Sequence, residues 1–171
     1  MKNINDKEKL AYEFAKKAHG SQTQGPRPYI EHPEQVVGVL KEHGFGNDEN
    51  LILAGWLHDT IEDTDVTFEM VEEAFGTDVA ELVDYVSQRP GSNRKERIKA
   101  TYPHTRKSSR AVALKLSDRI ANVRYSVNPN ETNRSFFLMY AKEHPGFTEG
   151  LFLPGEHVKL WETLNWEVKN G

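Results

Sequence analysis

The chain has 171 residues, enough for one domain with a buried core of its own. With 22 basic and 26 acidic residues the net charge is −4, so no general field draws the protein to nucleic acid or to a membrane surface, and any anionic ligand has to be held by local groups. The lack of cysteine excludes disulfides, thiolate metal sites and thiol nucleophiles, leaving His, Asp and Glu as metal donors.

The stretch Met1 to Lys9 is polar with no apolar run behind it, which reads against a secretory signal. No apolar stretch approaches the about 18 residues that a membrane span needs, so a soluble, cytoplasmic protein is expected. Apolar residues recur mostly at helical spacing, and the fold class that follows is all-α, a single compact helical domain.

A first helix is expected from an N-cap at Asn5 or Asp6 to Gly20, with Leu10, Phe14, Ala15 and Ala18 inward. Gly25, Pro26 and Pro28 make Ser21 to Pro28 a loop, at most a short β-hairpin. Tyr29-Ile30 returns the chain to an apolar anchor, and Pro33 suits the first turn of a second helix carrying Val36, Val37 and Leu40. His32 therefore sits at a loop-to-helix junction. Gly44 and Gly46 end that helix, and Asp48 caps a third on which Leu51, Ala54, Gly55 and His58 share a face. Small Ala54 and Gly55 allow a close helix neighbour there.

Thr67 and Thr77 read as N-caps, the first of a short helix through Ala74 and the second of one carrying Val79, Leu82, Val83 and Val86. Pro90 to Asn93 is a turn, followed by a basic segment with Arg94, Lys95, Arg97 and Lys99 that Pro103 is expected to break. Ser108 or Ser109 caps a long helix burying Val112, Leu114, Leu116, Ile120 and Val123, which Asn128-Pro129-Asn130 ends. Helices from about Glu131 to Glu143 and from about Glu156 to Val168, the latter with Leu160, Trp161, Leu164 and Trp166, complete the domain.

The seven consecutive residues His58-Asp59-Thr60-Ile61-Glu62-Asp63-Thr64 pack an imidazole and three carboxylates into two turns directly after an apolar run. With His32 and Asp118, His58 and Asp59 offer two nitrogens and two oxygens from three helices, a donor set suited to Mn, Fe, Co, Ni or Zn. Spacing alone does not single out Asp118. In this order the residues resemble the HD superfamily of metal-dependent phosphohydrolases and, more narrowly, its alarmone hydrolase branch, the RelA/SpoT hydrolase domain and small stand-alone relatives of the metazoan SpoT-homologue type. The stretches that carry the resemblance are Pro28 to Pro33, Leu57 to Thr64, Phe75-Gly76 with Val79 to Val83, and Leu114 to Arg119 with Asn122 to Arg124. It implies an HD-domain helical bundle in which His32, His58, Asp59 and Asp118 hold a divalent metal, Mn2+, while Glu62 and Asp63 activate or orient the attacking water.

The resemblance also implies that Asn122, one turn after Asp118, contacts a nucleotide. Lys115 and Arg119 either neutralise phosphates or form solvated surface. Lys95 and Arg97 are carried as phosphate-facing candidates from the basic run, and Tyr140 as a further contact that is otherwise a packing residue. The branch commonly has an Arg on the loop before the first His, packing on guanine, where this chain has Gln24; Arg27 either substitutes by stacking or faces solvent. His19, His43, His104, His144 and His157 read as surface or helix-end residues. The activity expected is hydrolysis of the 3′-pyrophosphate of guanosine tetraphosphate or pentaphosphate. The alternatives are another phosphorylated nucleotide, such as an adenine alarmone or a 2′- or 3′-phosphorylated dinucleotide cofactor, and a non-catalytic sensor of alarmones. No nucleic-acid or membrane partner is expected, and nothing in the sequence indicates an oligomeric state.

Overall fold

In the computed structural model, residues 6–128 and 134–171 are described. The chain order is α1 (Asp6–His19), β1 (Thr23–Gln24), β2 (Arg27–Pro28), α2 (Glu31–Glu42), α3 (Glu49–Leu57), α4 (Thr60–Asp63), α5 (Phe68–Phe75), α6 (Thr77–Val86), α7 (Arg94–Thr105), α8 (Ser109–Ser126), α9 (Arg134–Leu151) and α10 (Val158–Asn170). The expected all-α class holds, with one short antiparallel hairpin in which Thr23 pairs with Pro28 and Gln24 with Arg27. Gly25 makes that turn at a φ of 59°, in the left-handed region that favours glycine. Among the described residues, no helix is long and apolar enough to cross a membrane.

Helix α8 is the axis of the domain and packs against α2, α3, α6, α7, α9 and α10. Its N-cap is Ser108, which accepts from the Ala111 amide, and its buried positions run around much of the helix because neighbours surround it. Asp48 caps α3 by accepting from the Leu51 amide. The same carboxylate receives Nε and Nη2 of Arg110 at 2.8 and 2.6 Å, while Arg110 Nη1 reaches Asp78 on α6 at 2.9 Å. One guanidinium thus registers the starts of three helices. At 1.5 Å per residue, His58 lies about 15 Å beyond Asp48 and Asp118 about 12 Å beyond Arg110, so the two helices deliver both side chains to a similar depth.

Gly55 sets the approach of α3 to α2. A Cβ built there would lie 3.0 Å from Val37 Cγ2 and 3.1 Å from Leu40 Cδ1, so the expected close packing is present.

Several expectations are corrected. Leu10 is 55% exposed, because α1 turns Glu8, Ala11, Ala15 and His19 inward. Glu8 can be buried there because Lys41 Nζ and Trp56 Nε1 donate to it at 2.6 and 3.1 Å. His19 closes α1, as a helix-end residue, and is buried there: its Nδ1 pairs with Gln22 Oε1 at 2.9 Å and its ring packs on Tyr29. Thr77 is the first residue of α6 rather than its cap, and its hydroxyl turns back to Glu72. Pro103 lies inside α7, where the carbonyl deprived of a donor belongs to the exposed residue Lys99. Helix α9 likewise passes Pro145 and runs to Leu151 instead of ending at Glu143. Helix α10 starts two residues later than expected, and Trp166 is 63% exposed because Leu160, Trp161 and Leu164 define the inner face. Asn5, Pro129, Asn130 and Glu131 lie outside the described residues.

Replacing Gly55 by Val should force α3 from α2, costing about 1–3 kcal/mol by overpacking. Thermal melting would register the loss, and metal titration of the same variant should show weaker binding, since His58 and His32 sit on the two helices being separated. Unchanged melting and affinity would show that the close approach is not needed.

Candidate metal centre and active-site cleft

His32 is the second residue of α2, His58 follows the last residue of α3, Asp59 precedes α4, and Asp118 lies midway along α8. Both imidazoles are almost completely buried, at 2% and 1% exposure. His58 Nδ1 is 2.9 Å from the Gly55 carbonyl, to which it donates, and this aims Nε2 at the other groups. The two Nε2 atoms face each other at 3.3 Å. His58 Nε2 is 2.9 Å from Asp59 Oδ2 and 3.9 Å from Asp118 Oδ1, and His32 Nε2 is 3.6 and 3.2 Å from the same two oxygens. Donors about 2.1 Å from one ion at angles near 90–110° lie about 3.0–3.4 Å apart, so this spacing suits a shared cation. The donor atoms of His32, His58 and Asp59 all fall within 4.8 Å of one another.

The electrostatics ask for positive charge. Burial disfavours the imidazolium of His58, but Asp59 and Asp118 outweigh it and push its pKa up to about 9. Burial likewise opposes the charge of Asp59 and Asp118, yet the cations around them hold both carboxyls well below the usual range: His58 and His32 for Asp59, Lys115 and the two histidines for Asp118. Tyr29 donates its hydroxyl to Asp59 Oδ2 at 2.5 Å, and Asn122 donates its amide to Asp118 Oδ1 at 2.6 Å. Each carboxylate is therefore oriented by a neutral donor.

Above the cluster opens a cleft of about 300 Å3, walled by α4, α7, α8 and α9 and lined by His32, Asp59 and Asp118 together with Tyr29, Glu62, Asp63, Lys115, Asn122 and Tyr140. Burial pushes the Glu62 carboxyl up, against the Gln88 amide that donates to it at 2.9 Å. Asp63 receives Gln22 Nε2 at 3.4 Å. Lys115 is desolvated, but Asp118, Asp59 and Glu62 hold its pKa above the ordinary value, and its ammonium lies 3.4 Å from Asp118 Oδ2. Tyr140 is pushed up to about 12 by burial and by Asp118, so it remains a neutral hydroxyl.

Four of the expected contacts, Lys95, Arg97, Arg27 and Gln24, do not line this cleft. Lys95 is exposed and Arg97 half-buried, and neither lines the cleft; Arg94 does, because Arg94, Ile98, Thr101 and Tyr102 form the inner stripe of α7. Arg27 lies in the next groove, 5.5 Å from the Tyr125 ring centroid and 3.8 Å from Glu31. Gln24 sits between the two, donating to Asn122 Oδ1 at 3.3 Å while its carbonyl accepts from Tyr125 at 2.9 Å. Arg119 lines the cleft, and Arg124 is tied to Glu42 and Glu167 at 2.9 and 2.7 Å, as a structural residue would be. Tyr29 was visible in the sequence only as an apolar anchor; its place three residues before His32, at the hairpin exit, was the signal for more.

The chain is similar to proteins already named. A protein of Aquifex aeolicus named guanosine-3′,5′-bis(diphosphate) 3′-pyrophosphohydrolase is 43% identical over 119 residues, which are 67% of this chain and 17% of that protein. A Drosophila melanogaster protein with the same enzyme name is 39% identical over 98 residues, 57% of this chain and 55% of its own length. The chain thus spans less than a fifth of the first relative and about half of the second. A solved structure described as a metazoan ortholog of SpoT that hydrolyzes ppGpp superposes with a TM-score of 0.79 at 27% identity, covering 99% of this chain and 97% of that one. The family profile of the HD domain matches residues 11–142, from within α1 to within α9 and so through every side chain of the buried cluster, and the chain belongs to that family.

Proposed function

We propose that His32, His58, Asp59 and Asp118 hold Mn2+ and that the chain, acting in the cytoplasm, hydrolyses the 3′-pyrophosphate of guanosine tetraphosphate or pentaphosphate to GDP or GTP plus pyrophosphate. The observation that carries this reading is the convergence of two buried imidazoles and two partly buried carboxylates at the floor of a cleft whose wall also bears Lys115, Arg94 and Arg119. The names of the relatives support the substrate. Mixed nitrogen and oxygen donors suit a first-row divalent ion, and a cluster that holds a proton on His58 up to about pH 9 fits one electrostatically. When bound, such an ion lowers the pKa of a water towards neutrality and polarises a phosphoryl oxygen.

The chain's own residues supply the rest. Glu62 takes the proton of the attacking water, a task suited to a carboxyl whose affinity for protons burial has raised. Asp63 orients that water from the same turn. Asn122 fixes Asp118 and with Lys115 and Tyr140 meets the phosphoryl groups along one wall. The contact expected of Lys95 and Arg97 passes to Arg94. Gln24 joins this wall to the adjoining groove, where the Arg27 guanidinium over Tyr125 offers a planar cation for a purine.

Incubating the purified protein with Mn2+ and guanosine tetraphosphate should release pyrophosphate and GDP, whereas His58→Ala and Asp118→Asn should lose metal and activity together. A wild-type protein that binds the metal and leaves the alarmone intact refutes the substrate. A second reading, hydrolysis of an adenine alarmone or a 2′- or 3′-phosphorylated dinucleotide cofactor, rests on Gln24, whose amide is engaged with Asn122. A panel of guanine and adenine substrates at equal concentration should favour guanine, and a marked adenine preference would give the second reading precedence.

The pH dependence of the metal-free protein follows from His58. Its folded pKa of about 9 lies above the ordinary 6.5, so its contribution to stability is complete below about pH 6.5 and is lost as pH rises to about 9. Chelated protein should melt at lower temperature across that window, while the Mn2+ complex should tighten as the competing proton leaves. A flat melting profile for the chelated protein between those limits would contradict the assignment.

A further inference from the structure

Glu143 stands behind the cleft wall on α9, between an arginine from α7 and one from α8. Arg94 donates Nε–H and Nη2–H to its two carboxylate oxygens at 2.5 and 3.0 Å, and Arg119 donates from Nη1 at 3.2 Å. Both arginines line the cleft, whereas Glu143 does not. Arg119 is held further by two rings, with its guanidinium carbon 4.7 Å from the Tyr140 centroid and 4.5 Å from that of Phe147, and it is only 8% exposed. Arg119 is thus held on several sides, while the Arg94 side chain, 42% exposed, reaches Glu143 from the rim of the cleft.

Two guanidiniums side by side repel, and a carboxylate shared between them removes that repulsion while fixing the plane of each fork. The bonds to Glu143 leave Nη1 of Arg94 and Nε and Nη2 of Arg119 to donate elsewhere. Because the carboxylate is behind the wall, it fixes these donors without filling the space an anion would take. Burial opposes the charge of Glu143, but Arg94 and Arg119 hold its carboxyl below the ordinary range, so it stays ionised at neutral pH.

We propose that Glu143 is a positioning residue that joins Arg94 and Arg119 into a two-guanidinium clamp for a second phosphoryl group, so that the cleft selects a diphosphate over a monophosphate. This rests on the reading of the cleft as a phosphohydrolase site. One phosphoryl group lies at the His and Asp cluster, and the next lies against the clamp, on the part of the wall where α7 and α8 contribute Arg94 and Arg119. A carboxylate that only tied three helices together would alter stability without distinguishing the two anions.

Calorimetric titration of the Mn2+-loaded protein with inorganic pyrophosphate and with orthophosphate tests this. Wild type should bind pyrophosphate more tightly, and E143Q should weaken pyrophosphate by about tenfold and orthophosphate by less than about twofold; its melting temperature should fall, because two arginines lose their shared carboxylate, so the titrations are made well below it. Arg94→Lys, which keeps the charge and gives up the fork, should weaken binding in the same selective way. Equal weakening of both anions, or wild-type affinity for pyrophosphate in either variant, overturns the inference. A wild-type protein that takes up Mn2+ but binds neither anion overturns the phosphohydrolase reading itself, and the clamp with it.

Discussion

Each of the two buried imidazoles has its Nε2 within 3.9 Å of a carboxylate oxygen of Asp59 and of one of Asp118, and no apolar packing could hold four such groups together without a positive charge among them. Desolvation works against every member of the cluster, and only mutual attraction keeps the carboxylates ionised. Much of the fold serves this concentration of charge. Arg110 aligns the starts of α3, α6 and α8, Gly55 brings α3 against α2, and Tyr29 and Asn122 each orient one carboxylate from outside.

The cleft above separates two kinds of work by the sign of its groups. Its floor and the α4 side carry carboxylates and imidazoles, which suit a cation and a water. Its α7 and α8 sides carry Arg94, Lys115 and Arg119, which suit phosphoryl oxygens. The hairpin before α2 links this wall to a neighbouring groove through Gln24 and Arg27, so one end of a nucleotide and the other would be read by different elements. Under the proposed function, phosphate chemistry and base choice would therefore rest on different residues.

The all-α class, the Asp48 and Ser108 caps and the crowded His58 to Thr64 stretch were legible because each depends on neighbours a few residues away, and the tight packing at Gly55 because small side chains mark a close approach whatever the partner, here Val37 and Leu40. What was not legible depends on partners distant in sequence. Glu8 took an inward position on α1 in place of Leu10 because Trp56 and Lys41 could satisfy it. The basic run could not be sorted until the cap at Asn93 fixed the phase of α7; with it, Arg94 rather than Lys95 or Arg97 shares a face with Ile98, Thr101 and Tyr102. Pro103 reads as a break in the sequence, but a helix held by tertiary packing tolerates the loss of one hydrogen bond, as α9 also does at Pro145. Asp118 needed the family resemblance, since an Asp in the middle of a helix carries no local signature.

Anomalous diffraction at the manganese edge, from crystals grown with Mn2+, addresses the central claim most directly. One strong peak is expected about 2.0–2.3 Å from Nε2 of His32, Nε2 of His58 and a carboxylate oxygen each of Asp59 and Asp118. A peak that leaves out either histidine, or a metal bound only elsewhere on the chain, would contradict the account.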